Sequence, residues 1–122
     1  MAYDKENIFA KIINGVVPCK KVFENEVSLA FHDIAPQAPI HILVIPKGEY
    51  VSLHDFSKNA TDAEIGGLIR AVGIVAEKFG LVSPGYRILS NHGQDAHQEV
   101  PHFHVHVVGG RNLGRMLKRE ND

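Results

Sequence analysis

The chain has 122 residues, 44% hydrophobic and 22% charged, with a formal net charge of -1. That length makes one domain with room for a core without disulfides or metal staples. The near-neutral balance excludes a basic nucleic-acid platform, which needs clustered Lys and Arg. Cys19 is the only cysteine, so a disulfide framework and a Cys-rich zinc module are excluded, and a reducing compartment fits. The N-terminus lacks the apolar and basic runs of a secretory signal, and no apolar stretch is long enough to span a bilayer. The expectation is a cytoplasmic protein whose partner is a small molecule, with no nucleic acid and no membrane.

In chain order, Ile8-Phe9-Ala10-Lys11-Ile12-Ile13-Asn14-Gly15 has apolar residues at i, i+1, i+4 and i+5 before a capping glycine, which predicts a short helix with one apolar face. Lys20 to Glu24 and Val27 to Asp33 read as a hairpin turning at Asn25-Glu26. Ala35-Pro36-Gln37-Ala38-Pro39 is a stiff connection. It feeds His41-Ile42-Leu43-Val44-Ile45-Pro46, an apolar run expected at the centre of a sheet. Lys47 to Asn59 is polar, with a single turn expected around Ser52 to Phe56.

Thr61 and Glu64 match a capping box. Ile65, Leu68, Ile69, Val72, Val75, Ala76 and Phe79 follow at helical spacing and stop at Gly80, giving one long helix of roughly five turns. Gly66, Gly67 and Gly73 weaken it by about 1 kcal/mol each relative to Ala, so close packing against another backbone is their expected use. Tyr86 to Asn91 reads as a strand, and His92 to Pro101 as a polar loop. Strands with one long helix inserted late predict an α+β domain with a mainly antiparallel sheet.

The last strand is expected across Pro101 to Arg111. Alternation there puts Phe103, Val105 and Val107 on a core face and His102, His104 and His106 in a row on the other. A partly buried, backbone-satisfied histidine is the ordinary reading of any one of these, and of His41. Three in strict alternation need a chemical reason. One metal ion cannot comfortably take all three, because His102 and His106 are separated by about 13 Å along a strand, although two histidines completed by Glu99 stay possible. The other option is covalent catalysis, with His104 as nucleophile flanked by hydrogen-bonding neighbours. An imidazole suits phosphorus, since a P–N adduct forms readily and is labile once protonated. The loop from Asn91 to Glu99 is placed to supply donors to phosphoryl oxygens.

The string His102-Phe103-His104-Val105-His106-Val107-Val108 resembles the signature of the histidine triad family of nucleotide hydrolases and transferases. Ile8 to Ile13, Ala30 to Pro39, His41 to Lys47 and Val107 to Arg111 resemble its nucleotide-binding (Hint) branch, in the bacterial form. The Gly109-Gly110-Arg111 ending sets this apart from the dinucleoside-polyphosphate hydrolase branch. The resemblance implies a single α+β domain, core about 7–111 and tail 112–122, with a five-stranded antiparallel sheet, one long and one short helix, and a homodimer.

It further implies hydrolysis of a purine nucleoside 5′-phosphoramidate or aminoacyl-adenylate, without a cofactor or metal, to release AMP or a similar monophosphate. His104 would form a nucleotidyl-histidine, His106 would contact the phosphate or scissile bridge, and His102 and His41 would support the array. Asp33 would hold the ribose. Ile8, Phe9, Ile12, Val17, Phe31, Ile34 and Leu43 would form the base slot with His32 beside it, and Asn91, His97, Gln98 and Glu99 would hold the phosphate side. Glu99 stands where eukaryotic relatives tend to carry a small hydroxyl residue, and a carboxylate beside a phosphate is unfavourable unless it faces the leaving amine. A non-catalytic nucleotide-binding scaffold dimer, a dinucleoside polyphosphate hydrolase and a histidine metalloprotein are the competing expectations.

Overall fold

Five strands pair in the order β1-β2-β3-β5-β4, every neighbouring pair antiparallel. The computed structural model describes residues 2–117. Its elements are α1 (Ile8–Ile13), β1 (Lys21–Glu24), β2 (Ser28–His32), β3 (Ile40–Pro46), α2 (Leu53–Asn59), α3 (Asp62–Lys78), β4 (Arg87–Leu89), a 3-10 turn (Gln94–Ala96) and β5 (Val105–Gly109). No described helix is long and apolar enough to cross a membrane.

Local chemistry sets the element ends. The Asn7 side chain accepts from the Ala10 N–H at 2.9 Å and starts α1. Val16 N–H to Lys11 C=O and Gly15 N–H to Ile12 C=O close it, with Gly15 at φ +77°, a conformation that costs a glycine little. Asn25 turns the β1–β2 hairpin by accepting from the N–H groups of Val27 and Ser28, and its amide donates to Gly67 C=O on α3. Thr61 and Glu64 form the expected capping box of α3.

The two faces of the sheet have different coverings. On one, Val22, Ala30, Ile42, Val44, Val105 and Val107 meet the α3 stripe Leu68, Ala71, Val72, Val75 and Ala76. Each fully buried aliphatic side chain contributes about 1.5–3 kcal/mol. On the other, Leu29, Phe31, Leu43 and Ile45 pack under Phe9 of α1. This thinner second layer leaves part of the sheet open for a site.

Four expectations change. The segment expected to hold a single turn forms the seven-residue α2, because Ser52 caps it by accepting from Asp55 N–H. The final strand begins at Val105, so His102 and His104 precede it; the sheet ladder from β3 reaches only to the Val44–Val105 pair. Ile69, expected in the core stripe, is 58% exposed and lines an open hollow with Ile88 and Leu89 of β4. Of the α3 glycines only Gly67 makes the close approach, and it meets a side chain. A Cβ there would lie 2.3 Å from Val27 Cγ2, whereas Gly66 and Gly73 have nothing within 4 Å. Gly67→Ala should therefore destabilise the fold by about 1–3 kcal/mol through overpacking, read as a lower urea midpoint. An unchanged midpoint would contradict this packing.

Candidate active site

Strand register brings the polar side chains together on the thinly covered face. β5 lies between β3 and β4, with His106 opposite Leu43 and Leu89, and Val108 opposite His41 and Arg87. Upstream of β5 the alternation persists, since Phe103 and Val105 enter the α3-side core while His104 and His106 line a cleft of about 530 Å³ on the other face. The imidazoles are not an outward row. His102 is 0% and His104 6% exposed, because Tyr3 and Phe9 pack edge-on against them.

Carbonyl partners decide the tautomers, since a carbonyl can only accept. His102 Nε2–H donates to Pro46 C=O at 2.8 Å, which leaves Nδ1 to accept from the Tyr3 hydroxyl at 2.6 Å. His104 Nδ1–H donates to the His102 carbonyl at 2.7 Å. Its Nε2 is therefore a free lone pair. The Gln37 backbone N–H donates to His41 Nδ1 at 3.0 Å, so His41 Nε2–H donates to His106 Nδ1 at 2.9 Å. His106 is then protonated at Nε2, which is buried and has no partner among the described residues. A nucleophilic nitrogen and an unused N–H donor stand on adjacent rings with centroids 5.1 Å apart.

Burial holds the array neutral. Desolvation pushes the pKa of His102 and of His106 down to about 4 and lowers that of His104, for which the carboxylates of Asp33 and Glu99 act in the opposite direction. The ligand atoms of Asp33, His41 and His106 lie within 4.8 Å of one another, a different set from the two histidines with Glu99 that spacing suggested. The hydrogen bond between His41 and His106 places a proton where an ion shared by the two rings would sit, so in this tautomer the set does not fit a metal.

Of the residues assigned from sequence, Ile8, Phe9, Ile12, Phe31, His32, Asp33, Ile34, Leu43, Asn91, His97, Glu99, His104 and His106 all line the cleft. His41 and His102 stand behind it and hold the rings that do. Two of the assigned residues lie outside the cleft lining. Val17 does not line the cleft; the chain leaves α1 so that the next two residues, Pro18 and Cys19, face it instead. Gln98 also stays outside, because its amide donates to Val51 and Val100 carbonyls and accepts from Gly93 N–H, clamping the loop. His97 faces the cleft from a left-handed backbone at φ 55°, which costs a non-glycine residue about 1 kcal/mol or more. Sequence reasoning missed Tyr3 and Gln37, and no local pattern marks either of them.

The HIT domain family model matches residues 14–113. The chain belongs to the HIT family. Within it, the chain is 64% identical over 117 residues to a HIT-like protein of Azospirillum brasilense, 96% of each chain being covered. It is 41% identical over 113 residues to the purine nucleoside phosphoramidase of Escherichia coli K12, covering 93% of this chain and 94% of that one. The structure of a HIT family hydrolase from Clostridium thermocellum superposes with a TM-score of 0.83 at 33% identity, covering 93% and 99%. These relatives place the chain in the Hint-like branch of this hydrolase family.

The buried neutral histidines make HIT-fold stability pH-dependent with a definite sign. Between the unfolded pKa of 6.5 and the folded value of about 4, the unfolded chain binds more protons at His102 and His106. Stability is therefore present in full above 6.5 and falls as pH drops towards 4. The urea midpoint should decrease steadily from about pH 7 to about pH 5, and less steeply in His106→Gln. A flat profile would show that these rings protonate freely when folded.

Proposed function

We propose that the protein is a purine nucleoside phosphoramidase acting through a nucleotidyl-histidine at His104. One observation carries this reading: the lone pair on His104 Nε2 lies beside an unpartnered N–H on His106, at the wall of a cleft with an apolar end and a carboxylate. A base fits the apolar end formed by Ile8, Phe9, Ile12, Phe31 and Leu43. Asp33, whose Oδ1 already accepts from Ala35 N–H, can receive a ribose hydroxyl on its other oxygen.

In the proposed reaction His104 Nε2 bonds to the α-phosphorus as the P–N bond breaks. The departing nitrogen takes its proton from solvent and leaves as the amine, His106 Nε2–H donates a hydrogen bond to a phosphoryl oxygen, and His41 Nε2–H steadies His106 from behind. Nucleotidyl-His104 carries a positive charge, which the His102 carbonyl stabilises through Nδ1–H. Water then attacks phosphorus as the His104–P bond breaks, its proton passes to solvent, and the monophosphate and neutral His104 are freed. Glu99, on the wall of the nucleoside cleft, attracts the nitrogen at the scissile bond as it takes up its proton, not the group beyond that nitrogen.

A homodimer belongs to the same proposal. β4 is a short edge strand, and Leu53, Ile69 and Ile88 beside it are 48%, 58% and 49% exposed. Gly66 and Gly73 on the outer side of α3 leave room for a second helix. Ile69→Asp should convert the dimer to a monomer in sedimentation, and a wild-type monomer would remove this part.

Incubation with adenosine 5′-phosphoramidate, following AMP release and intact mass, tests the chemistry. Wild type should turn over and transiently gain the nucleotide's mass. His104→Ala should bind nucleotide yet lose about three orders of magnitude or more in turnover. Binding without turnover in wild type supports a scaffold, and turnover abolished by a chelator and restored by zinc supports the Asp33–His41–His106 set as a metal site.

A further inference from the structure

The cleft does not end at the histidines. His106 and Asn91 also border a second hollow of about 250 Å³, whose wall includes Gln37, His41, Arg87 and Arg111. Its charge is opposite to that of the first cleft, where Asp33 and Glu99 stand. The ion pairs among the described residues use Lys5, Lys11, Lys21 and Lys47, the neutral His41 ring lies 3.4 Å from Asp33, and none of these contacts uses Arg87 or Arg111. Among the described residues Arg87 donates to the main-chain carbonyls of Gly114 and Arg115, and Arg111 to those of Asn112 and Gln37. These bonds fix the guanidiniums in place without neutralising them, and each keeps further N–H donors for an anion.

A substrate whose phosphorus lies against His104 and His106 has its nucleoside in the first cleft, so a group bonded to that phosphorus can pass His106 into the second. We infer that the hollow walled by Arg87 and Arg111 is a subsite for the leaving group, and that it selects an amine carrying an anionic end, a carboxylate or a phosphonate. This rests on the phosphoramidase reading. The P–N bond breaks as described, the amine nitrogen takes up a solvent proton, and the distal anion stays paired with the two guanidiniums until the amine departs. An aminoacyl-adenylate, whose free end is an ammonium, is disfavoured in the same place.

The test compares three adenosine 5′-phosphoramidates, N-linked to glycine, to aminomethylphosphonate and to glycinamide. At least one anionic conjugate should exceed glycinamide by about tenfold or more in kcat/KM, as expected of charge-assisted hydrogen bonds, and the arm that does so identifies the anion. In Arg87→Gln and in Arg111→Gln that ratio should fall at least about threefold. Equal kcat/KM for all three in wild type, or an unchanged ratio in both variants, overturns the subsite. Failure of the phosphoramidase reading shows separately, as no hydrolysis of unsubstituted adenosine 5′-phosphoramidate. Calorimetry on His104→Ala, which keeps the conjugates intact, then decides the subsite: tighter binding of an anionic conjugate supports it, and equal Kd for all three overturns it.

Discussion

The hydrogen bond from His104 Nδ1 to the carbonyl of His102 is the constraint on which the site depends. It is made within two residues of chain, at 2.7 Å, and it settles which nitrogen of His104 is left to react. A serine or cysteine nucleophile needs a base to remove its proton. An imidazole whose proton is held on the far nitrogen needs only to be kept neutral, and desolvation under Phe9 and beside His102 does that. The partner ring reaches the complementary state by a different route, from Gln37 through His41, so that one ring presents a lone pair and its neighbour a proton. Nearly every polar contact around the cleft bears on this division.

The sheet makes the division possible because its two faces do different work. The α3 face carries most of the apolar burial and can hold the strands rigid without help from the site. The opposite face is covered by a six-residue helix and a few N-terminal residues, just enough to exclude water from His102 and His104 while leaving His106 at the wall. The left-handed backbone at His97 and the clamp made by Gln98 shape the loop that closes the remaining side. Local strain there is tolerated because the β-sheet and α3 hold the domain together independently.

The fold was legible wherever a period or a cap repeated. The α3 capping box, the β1–β2 hairpin, the apolar run of β3 and the alternation of Phe103, Val105 and Val107 all carry short-range signals. Most of the cleft lining followed from resemblance to the family and lies where that resemblance put it. What escaped notice depends on contacts distant in sequence. Tyr3 reaches His102 across 99 positions, and nothing near Tyr3 records its partner. Gln37 acts through its backbone, which no side-chain pattern can display. Val17 lies outside the cleft lining, where the chain leaving α1 presents Pro18 and Cys19. Ile69 fits the helical period as a core residue, yet it lines an open hollow beside β4 and stays 58% exposed.

The last strand in sequence is not the last in space: β5 is inserted between β3 and β4. During synthesis on the ribosome the edge of β3 stays unpaired until residue 109 has cleared the exit tunnel, and His104 and His106 of the cleft arrive with that same late segment. A nascent chain therefore carries a sticky, half-built sheet for most of its elongation, a state open to misassociation. Its chemistry switches on in one step, when the final ladder zips closed.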